Sequence, residues 1–314
     1  MPFEKPEFQP RIIPKEEFFA KAEALTEEDL RELGLGKKEP KESKEVASPV
    51  LRASWKNPEN QNEREIEIDI QKDIQIFDKI YSENLGIKID QKEIASIWNR
   101  NFESMKKEIE AYGYDTVLIV PDNLPSEEIV NQKVIETMDE GAGKGAVNKT
   151  YQSSNFKEGG SFAGVRNSEK QKYRIILTKG EQNIYETNDP LLKATLGKNI
   201  KGLTGLTEPE IADRIQRGEE LPINFKTTIS GKETEVMAEG LSLSEYMIFQ
   251  RSYFEKNKKH LDEKGWTWLT KSLSGSRVVL AAWYPGDRQL AVDADVPGRA
   301  DDGLGLRLSR SFSS

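Results

Sequence analysis

With 314 residues, 36% hydrophobic and 32% charged, the chain can bury a sizeable core, and its polar fraction predicts poor order in the N-terminal fifth. A net charge of −8 and a pI near 5.2 argue against a general affinity for phosphate backbones, and the lack of cysteine excludes disulfides, thiol nucleophiles and thiolate metal sites. No apolar run approaches the ~20 residues that cross a bilayer, and Met1 to Ala20 carries no signal-type apolar core. The expectation is a cytoplasmic protein with no membrane span and no nucleic-acid partner, surface display by another route staying open.

Thr26-Glu27-Glu28-Asp29 opens like a capped helix that stops at Gly34, and Gly36 to Arg64 mixes Lys, Glu, Pro, Ser and Asn without periodicity, which predicts a disordered linker. Residues 65–112 predict a helical hairpin. Its first helix sets Ile70, Ile74, Phe77, Ile80 and Tyr81 on one face before Gly86. Its second starts at the capping pair Asp90 and Glu93 and carries Ile94, Ile97, Trp98, Met105 and Ile109 to Tyr112. A mixed domain follows. Thr116–Val120 and Tyr173–Thr178 read as strands, and Pro125-Ser126-Glu127 as a helix start. Thr207-Glu208-Pro209-Glu210 reads as a short helix ended by Gly218, and Ser242-Leu243-Ser244-Glu245 as the capping box of a helix to about Asn257.

Three motifs suggest chemistry and are weak. Gly141-Ala142-Gly143-Lys144-Gly145 places a glycine where a phosphate-cradling loop needs Ser or Thr for magnesium. Gly159-Gly160-Ser161-Phe162-Ala163 loosely suggests a nucleophile elbow, with His260 and Asp262 as base and orienting acid. His260 is the one histidine and sits at a charged helix end, where a structural or surface role is preferred. Asp293, Asp295, Asp301 and Asp302 offer oxygens to calcium but lack the 12-residue loop of an EF-hand, so solvated acids are preferred.

From Leu273 onward Lys, Glu, Asn, Thr, Ile and Met disappear, and five Arg balance five Asp. Within Arg288–Asp295 the apolar Leu290, Val292 and Ala294 alternate with Gln289, Ala291, Asp293 and Asp295, which predicts a strand with one buried and one presented face. Tyr284-Pro285-Gly286-Asp287 and Val296-Pro297-Gly298 are turn signals, Leu304–Leu308 is a closing strand, and Trp266, Trp268 and Trp283 are anchors.

Several stretches together resemble the variable proteins of diversity-generating retroelements. They are Gly265-Trp266-Thr267-Trp268-Leu269, Ser276-Arg277-Val278-Val279, the run from Trp283 and Pro285 through Arg288, Leu290, Val292 and Ala294 to Pro297, and Leu304-Gly305-Leu306-Arg307-Leu308-Ser309-Arg310. The match is specific over roughly the last fifty residues, weaker back to about Tyr112, and absent before that. The resemblance implies a C-type lectin fold related to the formylglycine-generating enzymes, whose catalytic cysteines this chain lacks. In that family an error-prone reverse transcriptase rewrites adenine positions of a hypervariable region that binds diverse ligands.

Carried over, the resemblance makes Trp283, Arg288, Leu290, Val292, Ala294, Leu304, Gly305 and Arg307 the scaffold. The diversified, ligand-binding set is Tyr284, Gly286, Asp287, Gln289, Ala291, Asp293, Asp295, Val296, Gly298, Arg299, Ala300, Asp301 and Gly303, with Leu306. Nearly all are reachable from an Asn codon by changing adenines, Gln289 being the exception.

The expected class is therefore α+β. A C-terminal C-type-lectin-like domain (113–314, variable region about 277–308) is preceded by a short helix and disordered linker (1–64) and the helical hairpin (65–112). The expected function is non-catalytic binding of a protein or surface ligand, without cofactor or metal, and with partner or self-association through the N-terminal helices. The alternative is an invariant protein- or carbohydrate-binding module of the same fold.

Overall fold

Leu51, Ala53 and Trp55 alternate with Arg52, Ser54 and Lys56, and a strand puts three such apolar residues on one face. The computed structural model of the chain describes residues 49–138, 149–152 and 173–313, and its first element is that strand, β1 (Val50–Lys56). It pairs antiparallel with β2 (Glu63–Asp69), which buries Ile66 and Ile68 and turns Glu65 and Glu67 outward. Residues 50–56 and 63–64, expected in the disordered linker, are thus the paired strands of a hairpin. Arg52, Lys56 and Glu63 point to solvent, as Arg52 with Glu67 illustrates, while Arg64 lies over the Trp55 ring on the other face.

Asp69 caps α1 (Ile70–Ile80), which continues into a π turn (Tyr81–Leu85) before Gly86 at φ +67°. Asp90 caps α2 (Gln91–Tyr112). The two helices were expected to pack as a hairpin, but their main partners differ: α1 lies on the strand Thr116–Pro121 and the helix Leu243–Asn257, and α2 on β1 and the strand Tyr173–Thr178. Each helix's apolar stripe covers a sheet. The described residues pack as one unit, so the boundaries expected at 64 and 112 fall inside it. At the second of these a Cβ on Gly113, at φ +69°, would stand 2.6 Å from the Trp55 ring, tying the end of α2 to β1.

The remaining elements are β3 (Thr116–Pro121), α3 (Glu127–Val130, extended by a π turn), β4 (Lys149–Gln152), β5 (Tyr173–Thr178), α4 (Pro190–Lys193), α5 (Ile200–Thr204), α6 (Glu208–Arg217), β6 (Ile223–Ile229), β7 (Lys232–Ala238), α7 (Leu243–Asn257), β8 (Trp266–Ser274), β9 (Arg277–Tyr284), β10 (Gln289–Asp295), β11 (Leu304–Leu306) and β12 (Ser309–Phe312). The described residues form four sheets in a mixed α/β architecture: the hairpins β1-β2 and β6-β7, the three-stranded β12-β5-β3, and the five-stranded β11-β8-β9-β10-β4. In the largest, β8-β9-β10 is an antiparallel meander, with β11 and β4 added parallel at its edges. Helices α6 and α7 begin at the capping boxes Thr207/Glu210 and Ser242/Glu245.

The closing strand expected over Leu304–Leu308 is shorter, and a further strand in a different sheet follows it. β11 ends at Leu306, Arg307 and Leu308 carry the chain across, and β12 pairs with β5. Among the described residues no helix is long and apolar enough to cross a membrane.

Candidate functional site

The candidate surface stands on a buried ionic joint. Arg307 and Asp262, each about 1% exposed, form a two-pronged pair: Nε donates to Oδ2 at 2.9 Å and Nη2 to Oδ1 at 2.8 Å. Arg307 also donates to the carbonyls of Lys179 and Gln182, while Tyr246 donates its phenol to Asp262 at 3.0 Å. Burial works against the Arg307 charge, but Asp262 outweighs it and holds the guanidinium ionised; burial and then Asp262 push the Tyr246 phenol well above its usual range, so it stays a donor. The Asp262 main chain accepts from Trp283 and donates to Gln182. One residue thereby joins β9, the segment after β5, α7 and the crossing from β11 to β12.

Above this joint the scaffold positions are buried: Trp283, Leu290, Val292, Ala294, Leu304, Gly305 and Arg307, with Arg288 half-buried. Gly305 is required by close approach, since a Cβ there would meet Ile184 Cγ2 at 2.9 Å and Leu196 Cδ2 at 3.0 Å. His260, expected in a structural or surface role at a charged helix end, is buried just beyond α7 between Phe254 and Trp283, with ring centroids 4.9 and 3.6 Å away. Asp262 is committed to Arg307 and Tyr246. The glycine loops at 141–145 and 159–163, with Ser161, lie outside the described residues, as does the short helix expected from Thr26.

Tyr284, Gly286, Asp287, Val296, Gly298, Arg299, Ala300 and Asp301 are exposed, and Gln289, Asp293, Asp295 and Gly303 are half-buried. Two expected positions are not presented. Ala291 is fully buried in a strand flanked on both sides, opposite the equally buried Ala282 of β9, because both faces of the sheet are covered there. Leu306 is also fully buried, its amide tied to Thr195.

The exposed positions form two groups at opposite ends of β10, the turn 284–288 before it and the loop 296–303 after it. The loop returns to the first end, where Trp266 donates its amide to Gly303 and packs edge-to-face on Tyr284, centroids 5.8 Å apart. Main-chain bonds hold the loop. Ile200 donates to Pro297 O, Gly197 to Leu304 O, Arg299 to Val296 O and Leu304 to Asp301 O. Of its side chains, Arg299 bridges Asp295 and Asp301, and Asp301 accepts from the Gly303 amide; that amide and then Arg299 hold Asp301 below the usual carboxylate range. Of the four candidate calcium ligands, Asp293 and Asp295 accept from the amides that follow them, Asp295 and Asp301 share Arg299, and Asp302 is exposed. Among the described residues no group of three or more His, Asp or Glu is placed to hold a metal.

The loop's supports were not legible beforehand. The backbone of 197–200 comes from a segment with neither periodicity nor motif. Comparison of the chain with protein families, curated proteins and solved structures gave no match in any of the three.

Proposed function

We propose that the chain is a non-catalytic binding protein of the diversity-generating retroelement type, displaying a variable surface on a C-type lectin scaffold. The observation that carries the reading is the division of labour around β10. The loop 296–303 is held mainly through main-chain atoms, which any sequence supplies, while the side chains that build the core beneath it are buried. Exposed small residues and Asp on such a loop, with Tyr284 on the turn before β10, suit contacts that change without cost to the fold. The lectin scaffold comes from the sequence resemblance, and the long loop following the β8-β9-β10 meander accords with it.

The test is codon-by-codon sequencing of the 3′ end of the gene across many cells of one source population. Substitutions are expected at adenine-derived codons for Tyr284, Asp293, Val296 and Arg299, sparing Trp283, Leu290, Gly305 and now Ala291. Even variation across these codons would sink the reading. One observation favours the invariant module instead: Trp266 and Tyr284 pack edge-to-face, an aromatic pair suited to a fixed ligand.

A further inference from the structure

A pocket of about 580 Å³ opens between α6, the β8-β9 turn and the start of the loop after β10. Its walls are Ile211, Ala212 and Ile215 on one side and Val296 and Pro297 on the other, with Ser276 at one end. The volume lies in the range of small-molecule sites, and the pattern of apolar walls with a few polar groups is theirs too. Val296 stays 48% exposed, and Ala212 is exposed although it sits on a wall of isoleucines, so apolar surface is left open to an occupant.

The rim sets the charge of that occupant. Lys201 and Glu208 face each other across 3.9 Å, both largely exposed, so neither sign is preferred at the mouth. The remaining polar groups there, Asn199, Gln216 and Ser276, are neutral. Gly298 leaves the opposite lip bare, since a Cβ on it would meet no atom within 4 Å.

We propose that this pocket binds an uncharged small molecule with an apolar aromatic or branched aliphatic body and one neutral polar group at the mouth. The site requires Val296 and Gly298 as this chain carries them and no particular codon history, so the codon survey and the binding test fail independently.

The probe is N-phenyl-1-naphthylamine, an uncharged fluorophore, titrated into the full chain. Saturable binding with one-to-one stoichiometry is expected, at least tenfold weaker in Ala212→Trp and in Gly298→Leu, which fill the pocket from opposite walls. Its anionic relative 1-anilinonaphthalene-8-sulfonate should bind several-fold more weakly than the neutral probe. Circular dichroism melting checks that both variants are folded, and because the two act from different elements, misfolding of one leaves the other to decide. Non-saturable binding, equal affinity in a folded variant, or preference for the anionic probe overturns the proposal.

Discussion

Replacing Arg307 by Met keeps most of the side-chain volume and removes the charge, leaving the Asp262 carboxyl, about 1% exposed, deprived of its two-pronged partner. Breaking one side of a buried pair costs about 3–5 kcal/mol, because the survivor has lost its water and gained nothing. The carbonyls of Lys179 and Gln182 lose a donor as well, each a smaller penalty of about 1 kcal/mol. A total of about 5–7 kcal/mol, at about 2–4 °C per kcal/mol for a large domain, lowers the melting temperature by about 10–28 °C. Asp262→Leu combined with Arg307→Met removes both charges, and the double variant should be more stable than Arg307→Met alone, although Tyr246 then lacks its acceptor. Thermal and urea unfolding followed by circular dichroism measure Arg307→Met, Asp262→Leu and the double variant. A loss below about 1 kcal/mol for Arg307→Met, or a double variant as unstable as the sum of the singles, refutes the view that Asp262 and Arg307 are coupled.

Exposed loop positions should behave differently: Asp287→Ala and Val296→Ala should each change stability by no more than about 0.5 kcal/mol in urea unfolding. Ala291→Tyr puts a ring into a filled sheet and should cost at least about 1–3 kcal/mol, whereas a neutral result would restore Ala291 to the presented set. Gly305→Ala drives a methyl into Ile184 and Leu196 and should lower the melting temperature by several degrees, as differential scanning fluorimetry would show. Glu245 and Glu239 have carboxyls that burial pushes up and that Lys271 brings below the usual range, helped by Arg174 at Glu245 and by Ser311 at Glu239. Folded values below unfolded ones mean that this stabilisation is complete above the ordinary glutamate range and is lost as pH falls through the folded values. Melting temperature should therefore drop on acidification below about pH 4.5, and less steeply in Lys271→Met; parallel curves would contradict the assignment.

Elements with local signals were legible. The capping boxes of α6 and α7, the Asp90 cap of α2 and the apolar strands β3 and β5 are each specified by neighbours within a few residues. β1 was missed because Trp55 and Leu51 sit in a charged, proline-containing context that reads as linker until β2 is paired with it. The alternation in β10 placed Leu290, Val292 and Ala294 correctly, but it assumed one open face. Ala291 is buried because β9 and β4 flank the strand and the sheet is covered on both sides, and local spacing carries no information about that. The role of Asp262 is not legible locally, since nothing in Lys259-His260-Leu261-Asp262 announces an arginine 45 residues later.

The passage of the chain from β11 to β12 makes the fold a proofreader of its own coding sequence. β12 pairs with β5 across more than 130 residues, and Arg307 lies at the hand-over. A reading frame shifted anywhere between 277 and 306 removes both at once, leaving Asp262 without its counter-charge and a hydrophobic strand with a bare edge. Single-residue changes on the loop leave them untouched. Copies damaged in this way therefore fail at the level of folding, before any surface they carry can be presented.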